Sequence, residues 1–163
     1  MNKLILGDSA TELKKLDDNI IDLTVTSPPY DNLRDYDGYS FDFETIAKEL
    51  FRVTKQGGVL VWVVGDSVVN GSESGTSFKQ ALYFKEIGFN LHDTMIYHKD
   101  AFTKPDKTRY WSSFEYMFVL SKGKPKTINL INDRKNKWNN YKKSPHIREK
   151  NNEVTRRIES SIK

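Results

Sequence analysis

Ser27, Pro28, Pro29 and Tyr30 follow directly on the β-branched run Ile21-Asp22-Leu23-Thr24-Val25-Thr26. Proline biases the residue before it toward extended backbone, and two consecutive prolines fix φ and remove two N–H donors. The result is a stiff loop that presents mainly acceptors, among them the Ser27 hydroxyl and the Pro28 carbonyl. A primary amine is the matching partner, above all one whose lone pair is delocalised into an attached ring. Such a nitrogen is a poor nucleophile until acceptors hold both its N–H bonds and favour a tetrahedral geometry. Tyr30 adds a flat face for a planar ring, a stacking contact worth roughly 1–3 kcal/mol. The tetrapeptide reads equally well as a rigid turn with a half-buried tyrosine, so the elements around it have to decide.

Leu4-Ile5-Leu6 reads as a short strand, followed by Gly7-Asp8 and by Ser9-Ala10-Thr11-Glu12, which has the S-x-x-E form of a capping box. A helix from about Ala10 to Leu16 follows, burying Leu13 and Leu16. Alternation over Ile21 to Thr26 predicts a second strand. From Asp42 the apolar residues Phe43, Ile46, Ala47, Leu50 and Phe51 line one face of a helix that stops near Gly57-Gly58. Val59 to Val64 then reads as a strand covered on both faces, as central parallel strands are. A second capping box, Ser77-Phe78-Lys79-Gln80, opens a helix ending at Gly88, and Asn90 to His98 is the next strand. Phe114 to Leu120 is a further apolar run, and Thr127 to Ile131 a short strand-like one.

The sum is β-α-β-α-β-α-β with extra strands, which predicts an α/β, doubly wound and mostly parallel sheet with helices on both faces. In such sheets ligands bind beyond the carboxyl ends of the strands, and the pattern places Thr26 to Tyr30 there. Residues 1–131 form this partial Rossmann-like unit. Residues 132–163 are rich in Lys, Arg and Asn and too poor in apolar residues to build their own core, so poor order is expected there.

Composition narrows the function classes. There is no cysteine, and His92, His98 and His146 have no ligand-like spacing, so no structural metal is expected. The longest apolar run, Val59 to Val64, is far short of the roughly 20 residues a membrane helix needs, and Met1 to Leu6 is too short for a signal sequence. A cytoplasmic protein is the expectation. Charge is divided along the chain, with 15 Asp and Glu against 9 Lys and Arg up to His98, and 17 Lys and Arg against 7 Asp and Glu after it. A basic half suits a polyanionic partner, because neutralised phosphates release counterions, although a solvated basic tail has the same composition. Gly71-Ser72-Glu73-Ser74-Gly75 lacks the lysine and spacing of a phosphate-cradling loop and reads as a surface loop.

Taken in order, Gly7-Asp8-Ser9 and Asp22 through Asp31 resemble the start of the β-class DNA amino-methyltransferases, whose catalytic motif is S/D/N-P-P-Y/F. Glu49 through Asp66 resembles the helix and strand that follow that motif, and Gly88 through Pro125 the later strands and hairpin. The resemblance covers roughly residues 3–138, the catalytic half of such an enzyme. It implies S-adenosylmethionine as donor, double-stranded DNA as substrate, and methyl transfer to the exocyclic amine of a flipped base, since that amine is shielded inside a duplex. Ser27, Pro28, Pro29 and Tyr30 would form the catalytic loop, and Asp8 would contact the adenosine of the cofactor. Asp66 is a second cofactor candidate, against its reading as a carboxylate capping the loop that begins at Ser67. Arg134, Lys135, Lys137, Lys142 and Lys143, interleaved with Trp138 and Tyr141, lie where the family begins its target-recognition region and would contact phosphates.

Ser27 at the first motif position favours N4-cytosine, Asp being the commoner form for N6-adenine. Related folds methylate protein glutamine or RNA with Asn-Pro-Pro-Tyr, a reading that Ser27 and the basic tail oppose. The family's Phe-x-Gly-x-Gly cofactor loop is not found in these residues. A fragment of a longer enzyme, a subunit completed by a second polypeptide and an inactive DNA-binding remnant are the three accounts of that departure. The first two imply an exposed sheet edge and weak binding of S-adenosylmethionine by these residues alone.

Overall fold

The computed structural model describes residues 2–29, 40–100, 107–110, 112–131, 146–148 and 153–156. The chain divides into two compact units, Met1–Ile128 and Asn129–Lys163.

In the first unit, α1 (Ser9–Leu13) precedes β1 (Ile21–Thr26), α2 (Phe43–Val53) and β2 (Thr54–Val64). A short ribbon of β3 (Val68–Val69) and β4 (Ser72–Glu73) leads to α3 (Thr76–Glu86), β5 (Asn90–His98) and β6 (Phe114–Ser121). The main sheet has the order β1-β2-β6-β5. β1 and β2 are parallel, with Thr26 beside Trp62. β6 is antiparallel to both of its neighbours, β2 and β5. The class is α/β as the sequence predicts, but the sheet is mixed: β6 is inserted in reverse between two strands that share a direction.

Residues of α2 at helical spacing, Ile46, Ala47, Leu50 and Val53, are buried. The first three meet Leu60, Trp62 and Val64, the alternate residues of β2, which are buried as well. α3 adds Ala81 and Phe84, and the Phe84 ring stands edge-on to Trp62 at 5.1 Å and to Phe43 at 5.3 Å. Each of the larger aliphatic and phenyl side chains contributes roughly 1.5–3 kcal/mol on burial. The three helices therefore share the Trp62 face of the sheet, and among the described residues no helix lies on the other. The expectation of helices on both faces is not met within these residues.

Three further expectations change. Residues 4–6 form no strand, and Leu4 and Leu6 are almost fully exposed. No strand forms over 127–131 either, where Ile128, Leu130 and Ile131 are exposed. An apolar triplet specifies a strand only where a partner edge receives it. α2 ends before Gly57-Gly58, because the Thr54 hydroxyl donates to the Leu50 carbonyl at 2.6 Å and its backbone is already extended.

The helix starts also shift. Asp8 rather than Ser9 caps α1, its Oδ1 accepting the Thr11 N–H at 3.0 Å, while the Glu12 carboxylate takes Lys15 at 2.7 Å. At α3 the N-cap is Gly75, and the residues of the predicted capping box turn inward. Ser77 bonds to Asp66, and the Gln80 Oε1 accepts the Trp62 indole N–H at 2.8 Å.

In the second unit β7 (His146–Arg148) pairs antiparallel with β8 (Val154–Arg156).

Candidate active site

Ser27 leaves the sheet at the carboxyl end of β1, one residue beyond the Thr26–Trp62 pair. Ser27 is exposed, Pro28 is buried and Pro29 is partly buried. Burial of Pro28 is inexpensive because a proline brings no N–H that would need a partner. It anchors the loop and leaves Ser27 at the surface. Tyr30 lies outside the described residues.

Ser27, Pro28 and Pro29 form part of the wall of a cavity of about 380 Å³. Thr24 and Thr26 line it from β1, as alternation dictates for residues on the Trp62 face. Ile46, Leu50 and Trp62 give it an apolar wall, and the Phe41 ring lies near parallel to Trp62, with centroids 6.3 Å apart. Gly7, Ser9, Glu12 and Leu13 close it from the N-terminal segment. A Cβ at Gly7 would stand 2.7 Å from the Glu12 side chain, so the glycine lets that chain lie back over the turn. The size and mostly apolar lining suit a planar heterocycle, with hydroxyls and one carboxylate to orient it.

Asp8 does not line the cavity, although its neighbours Gly7 and Ser9 do. Its carboxylate also accepts the Thr11 hydroxyl at 3.1 Å, which holds the first turn of α1 in place. Asp66, just past the carboxyl end of β2, accepts the Ser77 N–H at 3.0 Å, the Ser74 hydroxyl at 3.0 Å and the Ser77 hydroxyl. It is not among the lining residues, and its bonds make it the anchor of α3. Arg134, Lys135, Lys137, Lys142 and Lys143 lie outside the described residues.

Sequence reasoning placed Thr26 at the strand end without giving it a role, and did not single out Glu12, Thr24 or Phe41 as part of the site. Strand alternation was the available signal for the two threonines; nothing local pointed to Phe41.

No group of three or more His, Asp or Glu residues is placed to hold a metal ion among the described residues. Among them no helix is long and apolar enough to cross a membrane.

The DNA methylase family of N6/N4 methyltransferases matches residues 21–161, most of the chain. The chain belongs to that family.

The orphan methyltransferase M.BamHII of Bacillus amyloliquefaciens is 63% identical over 151 residues, covering 91% of this chain and 57% of the relative. The type II methyltransferase M.SmaI of Serratia marcescens is 27% identical over 165 residues, covering 75% of this chain and 56% of the relative. Among solved structures, TTHA0409 of Thermus thermophilus complexed with S-adenosyl-L-methionine matches with a TM-score of 0.58 at 25% identity, covering 78% of this chain and 57% of that one. The cytosine-N4-specific PvuII DNA methyltransferase shares the fold, with a TM-score of 0.59 at 21% identity over 74% of this chain and 49% of that one. The chain thus spans about half the length of the proteins it matches, 49% to 57% of each. The family consists of S-adenosylmethionine-dependent DNA methyltransferases, and within this member Ser27-Pro28-Pro29 occupies a strand end beside a cavity.

Proposed function

We propose that Ser27, Pro28, Pro29 and Tyr30 form the base-side half of the active site of a DNA amino-methyltransferase acting on the N4 amine of cytosine. The observation that carries this reading is the position of Ser27 to Pro29 at the end of β1, on the wall of a cavity of about 380 Å³. A base taken out of the duplex enters such a cavity flat, between aromatic or apolar walls. The Ser27 hydroxyl and the Pro28 carbonyl hold the N–H bonds of its amine, drawing the nitrogen lone pair out of ring conjugation. Tyr30 stacks on the ring. A neutral serine, in place of the aspartate usual for N6-adenine, supports cytosine. The basic residues Arg134, Lys135, Lys137, Lys142 and Lys143 contact DNA phosphates in a target-recognition region.

S-adenosylmethionine, when bound, supplies an electrophilic methyl group on sulfur. The hydroxyls of Ser9, Thr24 and Thr26 and the Glu12 carboxylate suit its adenosine, whereas no Lys or Arg lines the described cavity to pair with its carboxylate. These residues fit part of the donor and leave its charged end to other groups. The type II name of M.SmaI points to a restriction-modification setting, and the working place that goes with this reading is the cytoplasm, on nucleoid DNA.

The test is to incubate the enzyme with DNA and methyl-labelled S-adenosylmethionine and identify the modified nucleoside. N4-methylcytosine is expected, lost on Ser27→Ala with DNA affinity retained. N6-methyladenine would overturn the choice of base, and Ser27→Ala with unchanged turnover would overturn the role of the loop.

A further inference from the structure

β2 runs on past the Thr26–Trp62 pair to Val64, so the β3–β4 ribbon that follows it stands at the same end of the sheet as Ser27. All six residues from Val68 to Glu73 are exposed, Val68 by 52% and Val69 by 59%. Val68 pairs with Glu73 and Val69 with Ser72, which leaves Asn70-Gly71 as the whole turn. Their φ values are +50° and +79°, the two positive angles that a tight type I′ hairpin requires. A ribbon of two residue pairs is marginal by itself, and neither valine belongs to the core. It is held from outside instead. The Ser74 N–H donates to the Ser67 carbonyl at 2.8 Å, the Ser74 hydroxyl to Asp66 at 3.0 Å, and the Arg109 guanidinium to the Gly71 carbonyl at the tip. The tethers at the feet serve the start of α3, whereas Val68, Val69 and Asn70 bury nothing that the fold needs.

We propose that the β3–β4 ribbon enters the major groove of duplex DNA beside the extruded base and touches base edges there. It is a recognition element within the catalytic unit, additional to the basic residues beyond position 131. The inference rests on the reading of Ser27 to Tyr30 as the base-side site, because the duplex must then meet this end of the sheet. Val68 through Glu73 include no cation, so the ribbon is not built to track phosphates. It presents aliphatic methyls, a carboxamide, a hydroxyl and one carboxylate. Those groups match the thymine methyl, the N6/N7 edge of adenine and the N4 amine of cytosine, all displayed in the major groove, whereas the minor groove shows no methyl group. Two strands lie about 4.8 Å apart before side chains are added, which suits the major groove, about 12 Å wide, better than the minor, about 6 Å. From Ser67 to Asn70 is about 10 Å of strand, enough to cross a groove roughly 8 Å deep. Cations stand beside the ribbon on the segment leading into β6, where Lys107 is exposed and Arg109 holds the tip, positions that suit the flanking phosphates. A turn fixed in advance by Asn70-Gly71 and Arg109 has little freedom left to lose on binding.

The chain contains no cysteine, so Val69→Cys and Glu86→Cys each introduce a single thiol, the first beside the tip and the second at the far end of α3. Both positions are exposed, and the circular dichroism of each variant should match the parent. The probe is duplex DNA of mixed sequence at low salt, added to saturation in a mobility-shift titration. Bound DNA is expected to slow maleimide modification of Val69→Cys about tenfold or more and to leave Glu86→Cys unchanged. Netropsin, which fills the minor groove, should not restore the reactivity of Val69→Cys. Replacing both Val69 by Ser and Asn70 by Ala should flatten the preference among duplexes selected from a random pool about tenfold, with average affinity kept within about twofold. A Val69→Cys thiol that stays reactive in the bound complex would overturn the proposal, and so would protection that netropsin abolishes, since the ribbon would then lie in the minor groove. Neither readout involves methyl transfer, so those results leave the assignment of Ser27 standing. A chain that shifts no duplex at all rejects the ribbon and the DNA reading together.

Discussion

The Asp66 carboxylate binds the backbone N–H of Ser77 at 3.0 Å, eleven residues further along the chain, and receives the Ser77 hydroxyl as well. Ser77 is wholly buried, and the N-cap, Gly75, has no side chain with which to cap α3. The helix start is therefore held from the end of β2. Hydrogen bonds to a charged group contribute roughly 1.5–3 kcal/mol each, and a buried hydroxyl left alone costs about as much. Asp66→Ala is expected to lower unfolding stability by about 2–4 kcal/mol in urea denaturation. If anchoring is its whole role, the affinity of the assembled enzyme for S-adenosylmethionine, measured well below the melting midpoint, stays within about twofold.

Trp62 and Gln80 form a second long-range bond, indole N–H to amide oxygen at 2.8 Å, both side chains nearly or fully buried. Gln80→Leu fills similar volume but strands the indole donor, costing about 1–3 kcal/mol. Trp62→Phe in the same background removes the orphaned donor, so the double variant should lose less than the two single losses added together. Additive losses in a double-mutant cycle would show that the bond contributes nothing.

How far these features were legible differs residue by residue. Helical spacing from Phe43 to Phe51 reported a real buried face, because burial imposes that period directly, whereas alternation over Ile21 to Thr26 located the strand but not its covered side, since Leu23 and Val25 are exposed. The direction of β6 was not legible: Phe114 to Ser121 presents the same apolar alternation whichever way it runs. The cap of α3 was misread for a related reason. Ser77 and Gln80 have the spacing of a capping box, yet each is claimed by a partner distant in sequence, Asp66 and Trp62. At the site, Ser27 to Pro29 stood out because two prolines after a β-branched run are informative locally. Glu12, Thr24 and Phe41 come from three separate segments that only the fold brings to one cavity.

Asp42 gives a pH-dependent signature. Hydrogen bonds from the Thr45 side chain and the Thr45 N–H hold its carboxyl below the ordinary carboxylate range. A carboxylate whose folded pKa is depressed stabilises the fold above its unfolded pKa, near 3.9, and that contribution disappears as pH falls through the folded value. The melting midpoint of Asp42→Ala should therefore lie below that of the parent at pH 6, and the gap should narrow steadily below about pH 4. A gap that stays constant down to pH 2 would mean that the charge on Asp42 contributes nothing to the start of α2.

Gly88 tests the junction between α3 and β5. Its φ is +115°, and a Cβ added there would lie 2.8 Å from Cζ of Phe51. That ring is held on two sides, edge-on to Phe89 at 5.0 Å and beneath the Lys122 ammonium, 4.5 Å from the ring centroid. The same ammonium donates to the carbonyls of Phe51 and Thr54 at 2.8 and 3.0 Å, so the ring has little room to retreat. Gly88→Ala should combine backbone strain with overpacking, each of about 1–3 kcal/mol. Gly71→Ala isolates the first part, because φ there is +79° and nothing lies within 4 Å of the added Cβ. The difference between the two losses in chemical denaturation measures the collision with Phe51. Adding Phe51→Leu to Gly88→Ala should recover part of that difference while leaving the strain; no recovery would place the cost of Gly88→Ala in the backbone alone.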